Sequence, residues 1–293
     1  MTRLARFILQ ALASLPLPVL HALGSLLGRM LYYASPRVRS RIRENLATSK
    51  IAGSYQLYQA LVKQSAAETG KGMLELSIAW CREPDYMVSL VKQCHGWEHV
   101  EAALAAGKGL IFVTPHLGSY DIAGRYLSAR LPFPLTAMYK PPKLAWLDPI
   151  MNEGRARGGA KTAPATGAGV RILMKALKSG EATIILPDQV PGSGEGIWAP
   201  FFGQPAFTMS LLPRLAQMQD VAVLWFTGER LPDGQGFAVH IQPQSVPFTG
   251  DKQQDGAILN AEVESLIRRW PAQYLWSYNR YKRPAGAPAP DSE

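Results

Sequence analysis

From Gly109 to Thr227 short apolar runs alternate with helix-length stretches, and this alternation restricts the architecture more than any other feature of the chain. Leu110–Val113, Leu135–Tyr139, Lys161–Ala163, Ala182–Leu186 and Val221–Thr227 read as strands, and Phe237–Gln242 adds another. Between them Ile122–Leu127, Leu147–Arg157, Gly169–Lys178 and Ser210–Gln219 carry helical spacing, and Ala257–Trp270 closes the series as a last helix. Such a chain is α/β, a mixed sheet flanked by helices. Upstream, Ser40 to about Val91 reads as helical with a division at Pro84, and Val100–Ala106 as a short helix.

The most informative stretch is Gly109–Asp121, GLIFVTPHLGSYD. Thr114-Pro115 stops the buried strand, and Ser119 and Asp121 can cap the helix that follows. His116 then sits at the carboxyl end of a strand, where open α/β sheets bind ligands. An imidazole there can take a proton from a hydroxyl, while a carboxylate on its other nitrogen fixes the tautomer and stabilises the cation. Asp121, five positions on, is the candidate partner. The bland alternative is a loop histidine bonded to a local carboxylate.

The amino terminus carries the charge asymmetry. Residues 1–50 hold eight basic side chains against Glu44 alone, most of the net +9. The 22 residues 7–28 have no formal charge, enough to cross a hydrocarbon core of about 30 Å. Pro16 and Pro18 leave open a kinked span or two short helices lying in the interface. Arg37, Arg39, Arg41 and Arg43 would stay on the cytoplasmic side and meet anionic head groups. Arginines abutting an apolar run fit lipid better than a nucleic-acid backbone, so no nucleic acid is expected. Three regions follow: a membrane-anchoring segment 1–45, an α/β domain 46–283, and a disordered tail 284–293.

Cys81 and Cys94 are too few for a disulfide framework and lack zinc spacing. His95 and His99 are four apart, but the intervening GWE has no helical period, so they read as loop histidines and no metal site is expected. A Ser-hydrolase elbow, a phosphate loop and a zinc-protease motif are all missing from the sequence. The Gly- and Pro-rich loop 191–205 carries Trp198, Phe201 and Phe202, which either line an apolar pocket for a long chain or tuck the loop onto the core.

HLGSYD at 116–121, MYKPPK at 138–143, LDPIMNEGRARGG at 147–159 and ILPDQVPGSGEGIWAPFFGQPAFT at 185–208 together resemble the bacterial lipid A biosynthesis (late) acyltransferases, within the wider glycerolipid acyltransferase group with an H-x4-[DE] motif. The resemblance spans nearly the whole chain. It implies a glycerolipid acyltransferase-like fold and transfer of a fatty acyl group from acyl carrier protein to a hydroxyl of a lipid A precursor, at the cytoplasmic face of the inner membrane. It further implies His116 as general base with Asp121 orienting it, direct attack on the thioester, and no cofactor beyond the acyl carrier co-substrate.

Arg157, and less strongly Arg155, match the family's R-x-R-x-G pattern and could hold phosphate or an oxyanion. Asp188 and Gln189 match its Asp-Gln and would shape the site. Lys140 stands where the family commonly has arginine. Arg268, Arg269, Lys282 and Arg283 offer basic surface to an acidic carrier protein. Two rival readings stay open. The acceptor could be a lysophospholipid or another glycolipid, or the chain could bind acyl carrier protein or lipid without catalysis.

Overall fold

The computed structural model describes residues 2–139, 145–157, 159–192 and 195–290, with backbone alone for 2, 145 and 155–157. Nine strands are present among them: β1 (Val91–His95), β2 (Gly109–Val113), β3 (Leu135–Tyr139), β4 (Lys161–Pro164), β5 (Ala182–Ile185), β6 (Gly196–Phe201), β7 (Gln204–Met209), β8 (Val221–Arg230) and β9 (Phe237–Pro243). Seven form one mixed sheet in the order β1-β9-β8-β2-β5-β3-β4, parallel except between β8 and β9. The expected α/β class with a mixed sheet is the one observed.

The helices are α1 (Thr2–Ala13), α2 (Leu17–Ala34), α3 (Pro36–Ser49), α4 (Tyr55–Cys81), α5 (Pro84–Leu90), α6 (Trp97–Ala105), α7 (Tyr120–Arg130), α8 (Asp148–Arg157), α9 (Gly167–Lys178), α10 (Leu211–Ala216) and α11 (Lys252–Arg269). They cover both faces of the sheet. Every residue of β2 is buried, and its side chains alternate between two cores. Leu110 and Phe112 pack with Val100 and Ala103 of α6 and Ala123 and Leu127 of α7. Ile111 and Val113 pack with Leu173 and Leu177 of α9 and Val263 and Leu266 of α11. Burial on both faces is why β2 reads as an unbroken apolar run.

Of the two forms left open for the amino-terminal anchor, the kinked span finds no support among the described residues. No helix among the described residues is long and apolar enough to cross a membrane. The uncharged stretch breaks between Ala13 and Leu17, where Pro16 takes φ −55° and ψ 139° and Pro18 enters the first turn of α2. Helix α2 packs along α4 with little space between them. A Cβ added at Gly70 would lie 2.0 Å from the Gly24 carbonyl oxygen, and one at Gly28 the same distance from that of Ala66. Leu17, Leu20 and His21 are buried there, whereas Leu23, Leu26 and Met30 face outward.

The remaining departures follow from packing that local pattern does not report. The expected boundary at residue 45 falls inside α3, whose Ile42 and Leu46 belong to the main core and whose Asn45 amide donates to the Trp276 and Tyr278 carbonyls (2.6 and 2.7 Å). The expected helical region ends at about Val91, and residues 91–95 add β1 to the sheet edge. His95 ends that strand and stacks on His240, and His99 lies in α6, so neither is a loop histidine. Much of the expected loop 191–205 is the β6–β7 hairpin. The tail expected to be disordered is seated on that hairpin through Pro288, with Ala287 buried and the Pro288 carbonyl accepting from Trp198 Nε1 at 2.9 Å.

Candidate active site

His116 stands three residues beyond the end of β2. Strands β2 and β5 are parallel with Val113 opposite Ile185, so the residue three beyond β5, Asp188, comes level with it. The Nδ1 of His116 lies 2.8 Å from Asp188 Oδ1, and the His116 backbone N–H donates to Oδ2 at 3.1 Å. On the other side of the ring the Gln189 amide Nε2 lies 3.1 Å from His116 Nε2. An amide NH₂ can only donate, which assigns the tautomer from the network: Nδ1 carries the proton toward Asp188 and Nε2 presents its lone pair.

Burial opposes the charged imidazole, but the Asp188 carboxylate outweighs it and Asp121 adds to it, so the His116 pKa is raised above the ordinary 6.5. Burial likewise opposes ionisation of Asp188, and the His116 charge and hydrogen bonds outweigh it, with Arg280 adding, so the carboxyl is held below its usual range. Tyr120 meets the imidazole edge-on at 4.9 Å between ring centres; burial, then the Asp121 and Asp188 charges, push its phenol far up, so it stays protonated.

Backbone contacts hold the loop that carries the histidine. The His116 carbonyl accepts from Leu275 N (3.0 Å), Gly118 N donates to Gln273 O (3.0 Å), and Ser119 N donates to Gly228 O (2.7 Å). Gly118 has φ +61°, and a Cβ there would lie 2.0 Å from the Gly228 oxygen, so no other residue fits without displacement. Ser119 holds the N-cap position of α7 without the expected side-chain cap bond.

A cavity of about 210 Å³ opens beside the imidazole, between this loop and α4. Its wall includes Glu68 and Glu75 of α4, Asp121, Arg230 and Tyr274. Arg230, at the end of β8, is bound by both oxygens of Glu75 (2.7 and 2.9 Å), by Glu68 (3.3 Å) and by the Gly118 carbonyl (2.9 Å). Burial opposes the Glu75 anion, but Arg230 and His21 outweigh it and bring its pKa to about 2.

Set against known proteins, residues 1–283 match the family model described as bacterial lipid A biosynthesis acyltransferase. The chain belongs to this acyltransferase family. It is 27% identical over 285 residues to the lipid A biosynthesis lauroyltransferase of Escherichia coli (strain K12), covering 96% of this chain and 92% of that one. It is 30% identical over 274 residues to the palmitoleoyltransferase of the same organism, covering 93% and 88%. A Shigella flexneri lipid A biosynthesis acyltransferase is similar to the same degree over the same span.

In this member of the lipid A acyltransferases the carboxylate hydrogen-bonded to His116 is Asp188, not the expected Asp121. The reason is register: β5 delivers Asp188 directly to Nδ1, whereas Asp121 lies in the first turn of α7, lines the cavity, and acts on the imidazole through its charge. Gln189, beside Asp188, reaches the other ring nitrogen of His116.

Trp198, Phe201 and Phe202 do not line the cavity. Phe201 and Phe202 are buried in the main core and Trp198 packs on Phe207, because the hairpin folds inward and its aromatic rings fill the space beneath it. Lys140 lies outside the described residues. Arg155 and Arg157 fall at the end of α8, and their side chains lie outside the described residues.

Of the basic residues expected to meet a carrier protein, Arg269 binds Gln242 and Arg283 binds the Ala287 carbonyl. Glu68, Glu75 and Arg230 were not legible as site residues. Their signals were a carboxylate on the inward face of α4 and a cation closing a buried strand.

Proposed function

We propose that the chain transfers a fatty acyl group from acyl carrier protein to a hydroxyl of a lipid A precursor, with His116 as general base. The observation that carries the reading is the His116 tautomer set by Asp188 on one nitrogen and Gln189 on the other. The acceptor hydroxyl takes the place of the Gln189 amide at Nε2 and gives up its proton there as its oxygen bonds to the thioester carbon. The carbon–sulfur bond then breaks, and the imidazolium, steadied by Asp188 and by the charge of Asp121, returns the proton to the leaving thiolate. No covalent acyl-enzyme is needed. Arg157 and Arg155 are assigned to phosphate or oxyanion contact, in keeping with their place in the family's pattern.

Membrane attachment enters as lying on the surface rather than crossing. Leu4 and Phe7 of α1 and Leu23, Leu26, Met30 and Tyr33 of α2 are exposed, next to the arginine-rich α3. An apolar stripe beside arginines suits the anionic cytoplasmic leaflet of the inner membrane. The two Escherichia coli relatives are named for different acyl groups, so membership of the family leaves acyl length to the individual chain.

The test is mass spectrometry of lipid A from cells with the protein, without it, and with His116→Ala. Loss of one acyl chain of defined mass in both altered strains is expected. Unchanged lipid A in all three would sink the assignment and direct attention to phospholipid and other glycolipid acceptors.

A further inference from the structure

We infer that Arg230 is a positioning residue for the catalytic loop: with Glu75 and Gln273 it braces the Gly118 carbonyl, and through Gly118 the placement of His116. The inference rests on the reading of His116 as base.

The guanidinium is already occupied. Nε and Nη2 meet the two oxygens of Glu75, Nη2 also donates to the Gly118 carbonyl, and Nη1 donates to Glu68. Two carboxylates around one cation leave no net positive charge for a substrate phosphate, so an anion clamp is the wrong role for it. What it does reach is the peptide two residues beyond His116.

The brace closes on itself. The Arg230 backbone N–H donates to Gln273 Oε1 (2.9 Å), and Gln273 Nε2 donates back to the Arg230 carbonyl (3.2 Å). The backbone oxygen of that same Gln273 accepts from Gly118 N. The Gly118 N–H is thus held from Gln273 and its C=O from Arg230, at a residue in the left-handed region whose torsions decide where the preceding His116 points.

The network also runs outward. Glu75 Oε1, bonded to Arg230 Nε, is 2.7 Å from His21 Nε2, and His21 lies on α2, whose opposite side carries the exposed Leu23 and Leu26. Helix α2 is therefore tied to the loop through one shared carboxylate.

Gly72→Ala isolates the brace. A Cβ at Gly72 would lie 2.9 Å from Arg230 Nη2, the atom that holds the Gly118 carbonyl, while every charge stays in place. Alanine also favours a helix interior over glycine, so the variant keeps its fold. The expected result is a kcat at least fivefold lower per folded enzyme, KM within twofold, and a melting temperature within a few degrees of wild type.

The acidic limb of the pH–rate profile should also move to lower pH as the His116–Asp188 contact loosens. Arg230→Lys keeps the charge but cannot hold Glu75 and Gly118 together, and should move kcat and the limb further the same way. If Arg230→Lys does not fold, Gly72→Ala decides alone. Wild-type kcat and an unmoved limb in folded Gly72→Ala would overturn the brace, provided His116→Ala is inactive. An active His116→Ala would instead overturn the base assignment, and the brace with it.

Discussion

Two buried acid–base pairs reach the wall of the same cavity through His116 and through Glu75 and Arg230, and they are built for different ends. His116–Asp188 has one member whose ordinary pKa is near neutrality, with 15% of its side chain exposed, and its free nitrogen is turned to a weak neutral donor. Glu75–Arg230 joins a strong acid to a cation that keeps its proton, each side chain 4% exposed, with His21 and Glu68 completing the shell. The first pair holds a group that can gain and lose a proton. The second cannot, and can only hold shape. The contrast separates a reacting group from its scaffold using exposure and proton affinity alone.

Removing the reacting member should have the largest effect on rate and little on folding. His116→Ala is expected to lower kcat roughly 10²–10⁴-fold, the usual worth of a positioned acid–base group, with the melting temperature within a few degrees of wild type. Equal losses of rate and melting temperature would merge the two pairs into one structural cluster. Breaking the scaffold pair should do the opposite. Arg230→Met leaves Glu75 buried without its cation and is expected to cost about 3–5 kcal/mol in denaturant unfolding.

Protonation sharpens the comparison further. The base works only when neutral, so kcat/KM should fall as the pH drops through a His116 pKa that lies above the ordinary 6.5. Removing a neighbouring negative charge lowers that pKa. In Asp188→Asn the acidic limb should therefore move to lower pH, along with a loss of kcat from the wrong tautomer. Asp121→Asn should move the limb the same way by a smaller amount, because the charge and hydrogen bond of Asp188 raise the His116 pKa more than the charge of Asp121 does. The reverse order in a pair of pH–rate profiles would restore Asp121 as the orienting partner.

What could be read in advance followed the range of the interactions. The apolar run Leu110–Val113, its stop at Thr114-Pro115 and the delivery of His116 to a strand end are local facts, and they hold. The pairing of His116 with Asp188 spans 72 residues and depends on which strand lies beside β2. A five-residue spacing made Asp121 look like the partner because chain distance was the only distance at hand. The hairpin around Trp198, Phe201 and Phe202 has the composition of a loop because its glycines and prolines mark turns. Its rings went to the core because the space beneath the hairpin was theirs to fill.

The amino terminus shows the same division. Apolar content and the arginine cluster were plain from composition, as was the break that Pro16 and Pro18 impose. The destination of the apolar stretch was not, since Gly24 and Gly28 reveal their use only when Gly70 and Ala66 of α4 come against them. Nor did Glu75 and Arg230 announce each other from 155 positions apart.

By itself, then, the chain's order of residues determined the α/β class, the strand that carries the histidine and the family to which the chain belongs. These rest on short periodicities and motifs that act within a few residues. Only the tertiary structure decided which carboxylate holds the imidazole, which cation braces its loop and that the apolar amino terminus packs on α4. Each of these is a contact between distant segments, set by sheet register and helix docking, and no local pattern encodes either.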